Sequence, residues 1–291
     1  MELISKVQYK TCEKGEFHDI AARSFEQTRA LLFDFPWEDE RHMTSVELTC
    51  PSISVEHPEG TYLKVGPYFS GKFVLYYLNS RKKVYFKAVN TLDEAADAIE
   101  QFFKQYGILG EYAKYGFVVN PSKHFITNTF EYIVDRQATR TFFRAPVFTA
   151  TVCLIMWVGM FFGSNGGWNL GFPIAMLLII FTMFAPHTYL YFNYRWSDED
   201  QYLQISKGCD HFSFGTLNTP RVYKKHDVDR IIIFGNQNRR NPWESAKVFQ
   251  VIFKNGEQIQ FTSLLISASK LRMKFEEHPF EEVDKFFPAL Q

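Results

Sequence analysis

A long uncharged segment divides the chain into three parts. Between Arg144 and Arg195 lie fifty residues without Asp, Glu, Lys or Arg. About 20 apolar residues form a helix that crosses roughly 30 Å of hydrocarbon, so the segment is long enough for two such helices and a turn. The stretch GSNGGWN at residues 163–169 supplies the turn, because Gly and Asn accept the positive φ angles that interrupt helices. The pattern predicts transmembrane helices at about 145–162 and 170–191.

Both ends of this segment carry signs of a membrane boundary. Arginines flank it, whereas the turn has no positive charge; they are Arg136, Arg140, Arg144 and Arg195. Aromatic residues gather at its far end, as they do at membrane interfaces; they are Tyr189, Tyr191, Tyr194 and Trp196. A buried hairpin in a soluble protein is the alternative, but such helices usually have a polar face, and these have none. The positive-inside rule therefore predicts a hairpin over residues 141–196 that crosses a membrane twice, with both termini cytoplasmic.

Residues 197–291 follow a different pattern, in which apolar and polar residues alternate. This period of two predicts six short strands, at 201–205, 211–214, 221–225, 228–234, 247–254 and 257–264. Asn255-Gly256 lies between the last two and predicts a type I′ hairpin turn, since both residues accept positive φ. After Pro279, apolar residues recur at helical spacing. The pattern indicates a bent antiparallel β-sheet capped by a C-terminal helix.

The order of these elements resembles that of a known domain family. The stretches that carry the resemblance are QYLQISKG, RVYKKHDVDRIIIF and VIFKNGEQIQFTSL, followed by the amphipathic C-terminal segment. Residues 197–291 thus resemble the pleckstrin-homology-like (PH-like) domains of bacterial membrane proteins, which often follow a two-helix membrane hairpin. The resemblance implies a binding or scaffolding module without a catalytic role. It also implies that the multi-pass hairpin lies in a bacterial cell inner membrane.

Residues 1–140 mix helical and strand patterns and resemble no family that we recognise. Two helices are predicted, one over 16–33 and one over 91–107, where Thr91 is a good N-cap and Gly107 a stop. Strands are predicted between them, at 45–50, 52–58, 61–69, 71–78 and 82–89. We expect a cytoplasmic α+β domain, which makes α+β the fold class of the whole chain.

No arrangement of residues in the sequence predicts catalysis, a cofactor or a metal. The stretch GPYFSGKF at 66–73 nearly matches a phosphate-binding loop, but Phe73 replaces the required hydroxyl and a strand follows instead of a helix. The four cysteines stand far apart, and neither they nor the eight histidines show metal-ligand spacing. The HDVD stretch at 226–229 is the alternative metal candidate, although the end of a strand explains it better. We expect a protein that is not an enzyme.

The charge balance and the membrane segment narrow the choice of partners. The chain has 32 basic and 32 acidic residues, so the basic excess of a nucleic-acid-binding protein is missing. We expect the lipid bilayer and a protein partner, which makes the chain a membrane-anchored binding or scaffolding protein. The alternative is a sensor of a small ligand or lipid head group, in which four cations would face the membrane; they are Lys224, Lys225, Arg239 and Arg240.

Small residues and one histidine within the hairpin add two further expectations. Two GxxxG pairs, Gly159 with Gly163 and Gly167 with Gly171, permit close helix packing. We expect them to let the two helices of one hairpin meet, and a homodimer contact is the alternative. His187 is the one ionisable group in the span. We interpret it as a neutral histidine near the cytoplasmic interface, with a functional role as the alternative.

Overall fold

Two compact units make up the chain, and a computed structural model describes them over residues 1–41, 47–105, 111–116, 118–163, 171–238, 241 and 243–290. One unit comprises Met1–Thr129 with Ser206–Cys209, and the other Phe130–Ile205 with Asp210–Gln291. The boundary at Thr129 differs from the predicted one at residue 140. The difference arises because residues 131–133 form a strand that pairs inside the second unit.

The first unit is built on a seven-stranded antiparallel sheet. In spatial order the strands are β2, β1, β3, β4, β5, β6 and β7. Their bounds are β1 Leu3–Gln8, β2 His18–Arg23, β3 Ser52–Glu56, β4 Tyr62–Pro67, β5 Phe73–Leu78, β6 Val84–Val89 and β7 Ala113–Lys114. The period-two pattern over 52–89 therefore predicted four of these strands correctly. The predicted strand at 45–50 is wrong for residues 47–50, which form no strand, and its first two residues lie outside the described part of the chain.

Helices cover one face of this sheet and complete its main core. They are α1 Phe25–Asp34, α2 Trp37–Glu40 and α3 Leu92–Gln105. The predicted helix over 16–33 is wrong in its first part, which forms β2 beside β1. Ser24 sets the true start of α1 because its hydroxyl accepts the Gln27 N–H while the Gln27 side chain accepts the Ser24 N–H. Thr91 caps α3 as predicted, whereas Gly107 lies outside the described residues.

Two buried lysines lie on the opposite face of the sheet. The Lys64 ammonium donates to Gln8 Oε1 at 2.8 Å, to the Leu48 carbonyl at 2.7 Å and to the His124 carbonyl at 3.1 Å. Burial lowers the pKa of Lys64 to about 8. The second, Lys6, pairs with a Glu56 oxygen at 3.1 Å. All three donors of Lys64 have partners, so this amine holds loops against the sheet.

The second unit contains two four-stranded sheets. The first has the order β11, β10, β9, β8 and the second the order β14, β13, β12, β15. Their bounds are β8 Glu131–Ile133, β9 Gln201–Gln204, β10 His211–Thr216, β11 Thr219–Lys224, β12 Val228–Gly235, β13 Val248–Phe253, β14 Gln258–Thr262 and β15 Phe280–Asp284. One continuous core of apolar side chains from both sheets joins them into a sandwich. The six strands predicted after residue 200 are all present.

Three helices are inserted between two neighbouring strands of the sandwich. They are α4 Arg136–Phe142, α5 Arg144–Gly163 and α6 Gly171–Asp198. They follow β8, and β9 follows them, yet β8 and β9 pair antiparallel through Tyr132 opposite Leu203. The helices therefore lie within the sandwich fold rather than before it.

The end of the chain differs from its predicted structure. The segment expected to be a closing helix contains β15, which pairs parallel to β12 with Phe280 opposite Ile231. The helical spacing of its aromatic residues was misleading because a distant strand pairs with this segment. The helix of the sandwich is instead α7, Ala268–Lys274, whose Leu271 is fully buried.

The Asn255-Gly256 hairpin is present, but its turn is of another type. Gly256 has a φ of 86°, whereas Asn255 is not among the described residues with positive φ. The Gly256 N–H donates to the Phe253 carbonyl, and the Phe253 N–H donates to the Glu257 carbonyl. These bonds define a type I turn followed by a glycine bulge, the usual geometry of a three-residue hairpin loop.

Candidate functional site

The two long helices expose apolar side chains over most of their described surface. On α5, Phe148 is 70% exposed and Ile155 is 64% exposed; on α6, Leu177 is 66% exposed and Phe181 is 68% exposed. Helix α6 is long and apolar enough to cross a membrane, and α4 with α5 would form a second span if the pair, bent by 53°, is counted as one. Large contiguous apolar surfaces of this kind mark interaction sites.

The last turns of α6 have a buried side and an exposed side. Buried residues recur at helical spacing; they are His187, Leu190, Tyr191, Tyr194 and Asp198. Exposed aromatic residues recur on the other side; they are Tyr189, Phe192 and Trp196. Of the four aromatics predicted at a membrane interface, Tyr191 and Tyr194 therefore lie in a core instead. In these last turns one side of α6 is therefore buried within the second unit, and the other side stays exposed.

Specific polar contacts fix this part of α6 to the end of the chain. The Tyr194 hydroxyl donates to the Pro288 carbonyl at 2.7 Å. The Asn193 side chain makes two hydrogen bonds with the backbone of Leu290, donating at 3.1 Å and accepting at 2.8 Å. These bonds satisfy buried or half-buried polar groups beside the core formed by Phe142, Tyr194 and Leu264. The C-terminal segment thus holds α6 in one orientation against β13 and β14.

A buried carboxylate makes a further contact between the end of α6 and the sandwich. Asp198 is fully buried, and its Oδ2 accepts the Thr262 hydroxyl at 2.6 Å and the Thr262 N–H at 3.1 Å. Burial raises the pKa of Asp198 to about 6, although the bonds from Thr262 favour the charged form. The last residue of α6 is therefore tied to the last residue of β14.

The cationic side chains at the bases of the helices are exposed. Arg136, Arg140 and Arg144 all lie on the surface. Arg195 donates to the Tyr191 hydroxyl at 3.1 Å and pairs with Glu199 at 2.8 Å. Cations therefore lie where α5 begins and where the exposed surface of α6 ends, as the sequence predicted.

Two of the four cations proposed for the head-group site lie in the described part of the chain, and they differ in exposure. Lys224 is exposed at the end of β11, whereas Lys225 is buried and its ammonium lies 5.9 Å from the centre of the Phe275 ring. Arg239 and Arg240 lie outside the described residues. Lys225 is thus wrongly assigned as a membrane-facing cation, because the 3-10 turn after β11 directs it into the core.

The structure leaves the role of the helix-packing glycines open and shows where His187 lies. A Cβ added at Gly159 would meet nothing within 4 Å, so the described neighbours of Gly159 give no support to packing within the hairpin. Gly163 ends α5 and Gly171 begins α6, while Gly167 lies outside the described residues. Their role stays a prediction. His187 is buried against the Phe142 ring at 5.6 Å and does not face an exposed interface.

The loop that resembles a phosphate-binding loop presents hydrogen-bond acceptors, whereas a phosphate site needs donors. Between β4 and β5 the chain forms a tight turn, with φ of 56° at Ser70 and 74° at Gly71. A phosphate site presents N–H groups. Here the turn presents carbonyl oxygens, which bind the Arg41 guanidinium at 2.7 Å from Tyr68 and 3.1 Å from Lys72. A cation already satisfies the turn, which agrees with its interpretation as a hairpin connection.

One cluster of potential metal ligands was missed in the sequence. Cys12 and Glu16 lie in the turn between β1 and β2, and His18 is the first residue of β2; their ligand atoms are all within 4.8 Å of one another. The search for short Cys and His spacings overlooked them because the set mixes three residue types. The signal was a Cys, a Glu and a His within seven residues that end where a strand begins.

Comparison with known proteins agrees with the structure of the second unit. Residues 131–274 match a family model described as a PH domain. No curated protein and no solved structure matches the chain. The matched region begins at β8, so it includes α4, α5 and α6, and the PH-like part starts before the long helices rather than after them.

Asp198 makes the stability of this unit depend on pH. Its folded pKa of about 6 lies above the unfolded value near 3.9, so between these values only the folded state binds the proton. Stability must therefore fall as pH rises from about 4 to about 6, by an amount on the order of 3 kcal/mol. Asp198→Asn keeps an acceptor for Thr262 and removes the buried charge. In thermal unfolding of the detergent-solubilised chain, we expect this variant to lack the decline and to melt no lower than the wild type at pH 7.5.

Asp200→Asn is the matched control, since Asp200 is exposed two residues along the chain. It should retain the wild-type pH profile. A decline of equal size in Asp198→Asn would contradict the assignment.

Proposed function

We propose that the chain is a membrane-anchored binding or scaffolding protein. In this proposal α5 and α6 form a hairpin in a bacterial inner membrane, and both units lie in the cytoplasm. The PH-like match suggests a binding or scaffolding role for the second unit. The observation that carries the proposal is the pairing of β8 with β9.

That pairing restricts how the inserted helices cross a bilayer. Residues 131–133 and 202–204 are hydrogen-bonded neighbours, so the chain leaves and re-enters the sheet at the same place. A chain that begins and ends on one side of a membrane crosses it an even number of times. A single span by α6 is therefore inconsistent with the sheet, and two spans are the arrangement that fits both exposed apolar helices.

Helix lengths agree with this arrangement. At 1.5 Å per residue, the 20 residues of α5 extend about 30 Å and the 28 residues of α6 about 42 Å. A bilayer core is about 30 Å thick, so α6 is longer than one span requires. The residues of α6 beyond one span are those of its last turns, whose buried side packs within the second unit. A helical backbone satisfies its own polar groups, as hydrocarbon demands, apart from the one bond that Pro186 cannot donate in α6.

Orientation and the position of the first unit follow from charge and connectivity. The exposed arginines at the bases of α5 and α6 favour the cytoplasmic side for the sandwich. The first unit ends at Thr129, and β8 begins at Glu131. No helix separates them, so both units belong to the same side of the membrane.

The exposed edge of the sandwich favours a protein partner over a lipid head group. Edge strand β11 exposes Val222 at 67%, and the turn before it exposes Leu217 at 63%. Unpaired strand edges with apolar side chains accept a strand or an apolar surface from another protein. Of the four cations predicted to bind a head group, Lys224 alone lies exposed within the described residues.

Reporter fusions test the topology. Fusions after Tyr132, Asn165 and Gln291 should report cytoplasm, periplasm and cytoplasm, because the hairpin crosses twice. The protein should also stay in the membrane pellet during alkaline carbonate extraction. A periplasmic signal after Gln291, or release by carbonate, would refute the hairpin.

Depth-dependent quenching tests where the bilayer ends on α6. Variants with one remaining tryptophan are reconstituted in vesicles whose lipids carry bromine near the head group or deep in the acyl chains. Trp196 is 90% exposed beyond the predicted span and should be quenched most by shallow bromine, whereas Trp157 in α5 should be quenched most by deep bromine. Trp37, buried in the first unit, is the control and should be unaffected. Strong quenching of Trp196 by deep bromine would show that α6 continues through the bilayer at that point.

Site-specific photo-crosslinking tests the binding role. A crosslinking residue at Val222 should capture one discrete protein in native membranes, and the same residue at exposed Gln101 on α3 should capture none. Adducts with lipid alone at Val222 would favour the head-group sensor. Identical adducts from both positions would contradict a partner-binding edge.

A further inference from the structure

We propose that the turn between β1 and β2 binds a divalent transition metal of the zinc class through Cys12, Glu16 and His18. The thiol sulfur, a carboxylate oxygen and an imidazole nitrogen lie within 4.8 Å of one another. Cys12 and Glu16 are buried, and the side chain of His18 is 33% exposed, so the cluster lies at the edge of the unit. Nothing in the proposed membrane function requires this site.

Local contacts hold the ligand-bearing turn in shape. The Gln8 side-chain amide donates to the carbonyls of Glu13 at 3.0 Å and Glu16 at 3.1 Å. Gly15 has a φ of 82°, and a Cβ there would approach the Ile126 carbonyl to 3.1 Å. These contacts bring two ligands at the end of the turn back towards Cys12 at its start. The arrangement is therefore built by the backbone rather than by exposed side chains meeting by chance.

The spacing of the donor atoms suits a small tetrahedral ion. Metal–ligand bonds of 2.0–2.2 Å to nitrogen and oxygen at tetrahedral angles place neighbouring donor atoms about 3.4 Å apart. The His18 Nε2 and Glu16 Oε1 atoms are 3.8 Å apart, so this pair would need to approach by a few tenths of an ångström, and the Cys12 sulfur, within 4.8 Å of both, by about 1 Å at most. Thiolate, imidazole and carboxylate together favour zinc-class ions over calcium or magnesium, which prefer oxygen ligands.

Backbone groups already support two of the ligands as they do in metal sites. The Cys12 sulfur accepts the Tyr9 N–H at 3.3 Å. The Glu16 carboxylate accepts the N–H of Gly208 at 2.9 and 3.0 Å and that of Glu13 at 2.9 Å. A carboxylate has about four lone-pair sites, so these bonds leave room for a metal while fixing its orientation.

The charges around the thiol also favour a cation. The carboxylates of Glu16 and Glu40 lie close enough to the Cys12 thiol to oppose its ionisation, so the surroundings of the thiol are negative. A divalent ion would neutralise this local negative charge and stabilise the thiolate. Three protein ligands leave the fourth tetrahedral position to a water molecule.

Cobalt(II) substitution tests the proposal on the full chain in detergent. One Co²⁺ per chain should give visible d–d bands of tetrahedral cobalt and a near-ultraviolet thiolate-to-cobalt band, and Zn²⁺ should displace both. Cys12→Ser should abolish the thiolate band. Glu16→Gln and His18→Gln should each weaken cobalt binding at least tenfold.

Two controls separate loss of the site from loss of the fold. Cys50→Ser removes another thiol of the same unit, and His211→Gln removes an exposed histidine. Both should bind cobalt as the wild type does. Because His18 is partly exposed, His18→Gln should melt like the metal-free wild type while losing the stabilisation that Zn²⁺ gives. No tetrahedral cobalt spectrum in the wild type, or an unchanged spectrum in Cys12→Ser, would overturn the proposal.

Discussion

The pairing of β8 with β9 is the constraint on which the arrangement of the second unit depends. Three residue pairs, from Glu131 opposite Gln204 to Ile133 opposite Tyr202, join strands that three helices separate along the chain. Closing so long an insertion is entropically unfavourable, but the penalty grows only slowly with length. The shared sheet then fixes both ends of the insertion at one place. The chain must therefore return to that place after the apolar helices, whatever their surroundings are.

Helix α6 meets two different demands along its length. Its first part exposes apolar residues such as Leu177, whereas its last turns bury a stripe that ends at Asp198. The transition follows Pro186, which lacks the N–H needed for one helical hydrogen bond. From His187 onward, the buried side of the helix packs against α4 and against the sandwich. The same helix thus provides both the exposed apolar surface and one side of a smaller apolar cluster with Val248 and Leu264, which is separate from the core between the two sheets.

Local sequence patterns predicted the elements whose partners are close in sequence. The meander from β3 to β6 and the hairpin of β13 and β14 have alternating residues and short turns, so their structure is determined locally. Failures occurred where pairing with another strand overrides the local pattern. The segment of β15 has helical spacing of aromatics but pairs with β12, and the segment of β2 continues an apolar pattern into α1 but pairs with β1. The Ser24 capping box marks the start of α1 and so separates the segment of β2 from the helix. The segment of β15 has no comparable local signal.

The candidate sites show the same division between local and distant information. The exposed arginines and the uncharged helices were visible in the sequence because membrane signals depend on composition along a segment. The burial of Tyr191 and Lys225 was not, because a residue's exposure depends on what packs against its element. The ligand cluster is an intermediate case: Cys12, Glu16 and His18 are neighbours in sequence, but only the pairing of β1 with β2 turns the loop back on itself. Predicted hairpin turns therefore indicate such mixed ligand clusters better than fixed spacings of cysteine and histidine do.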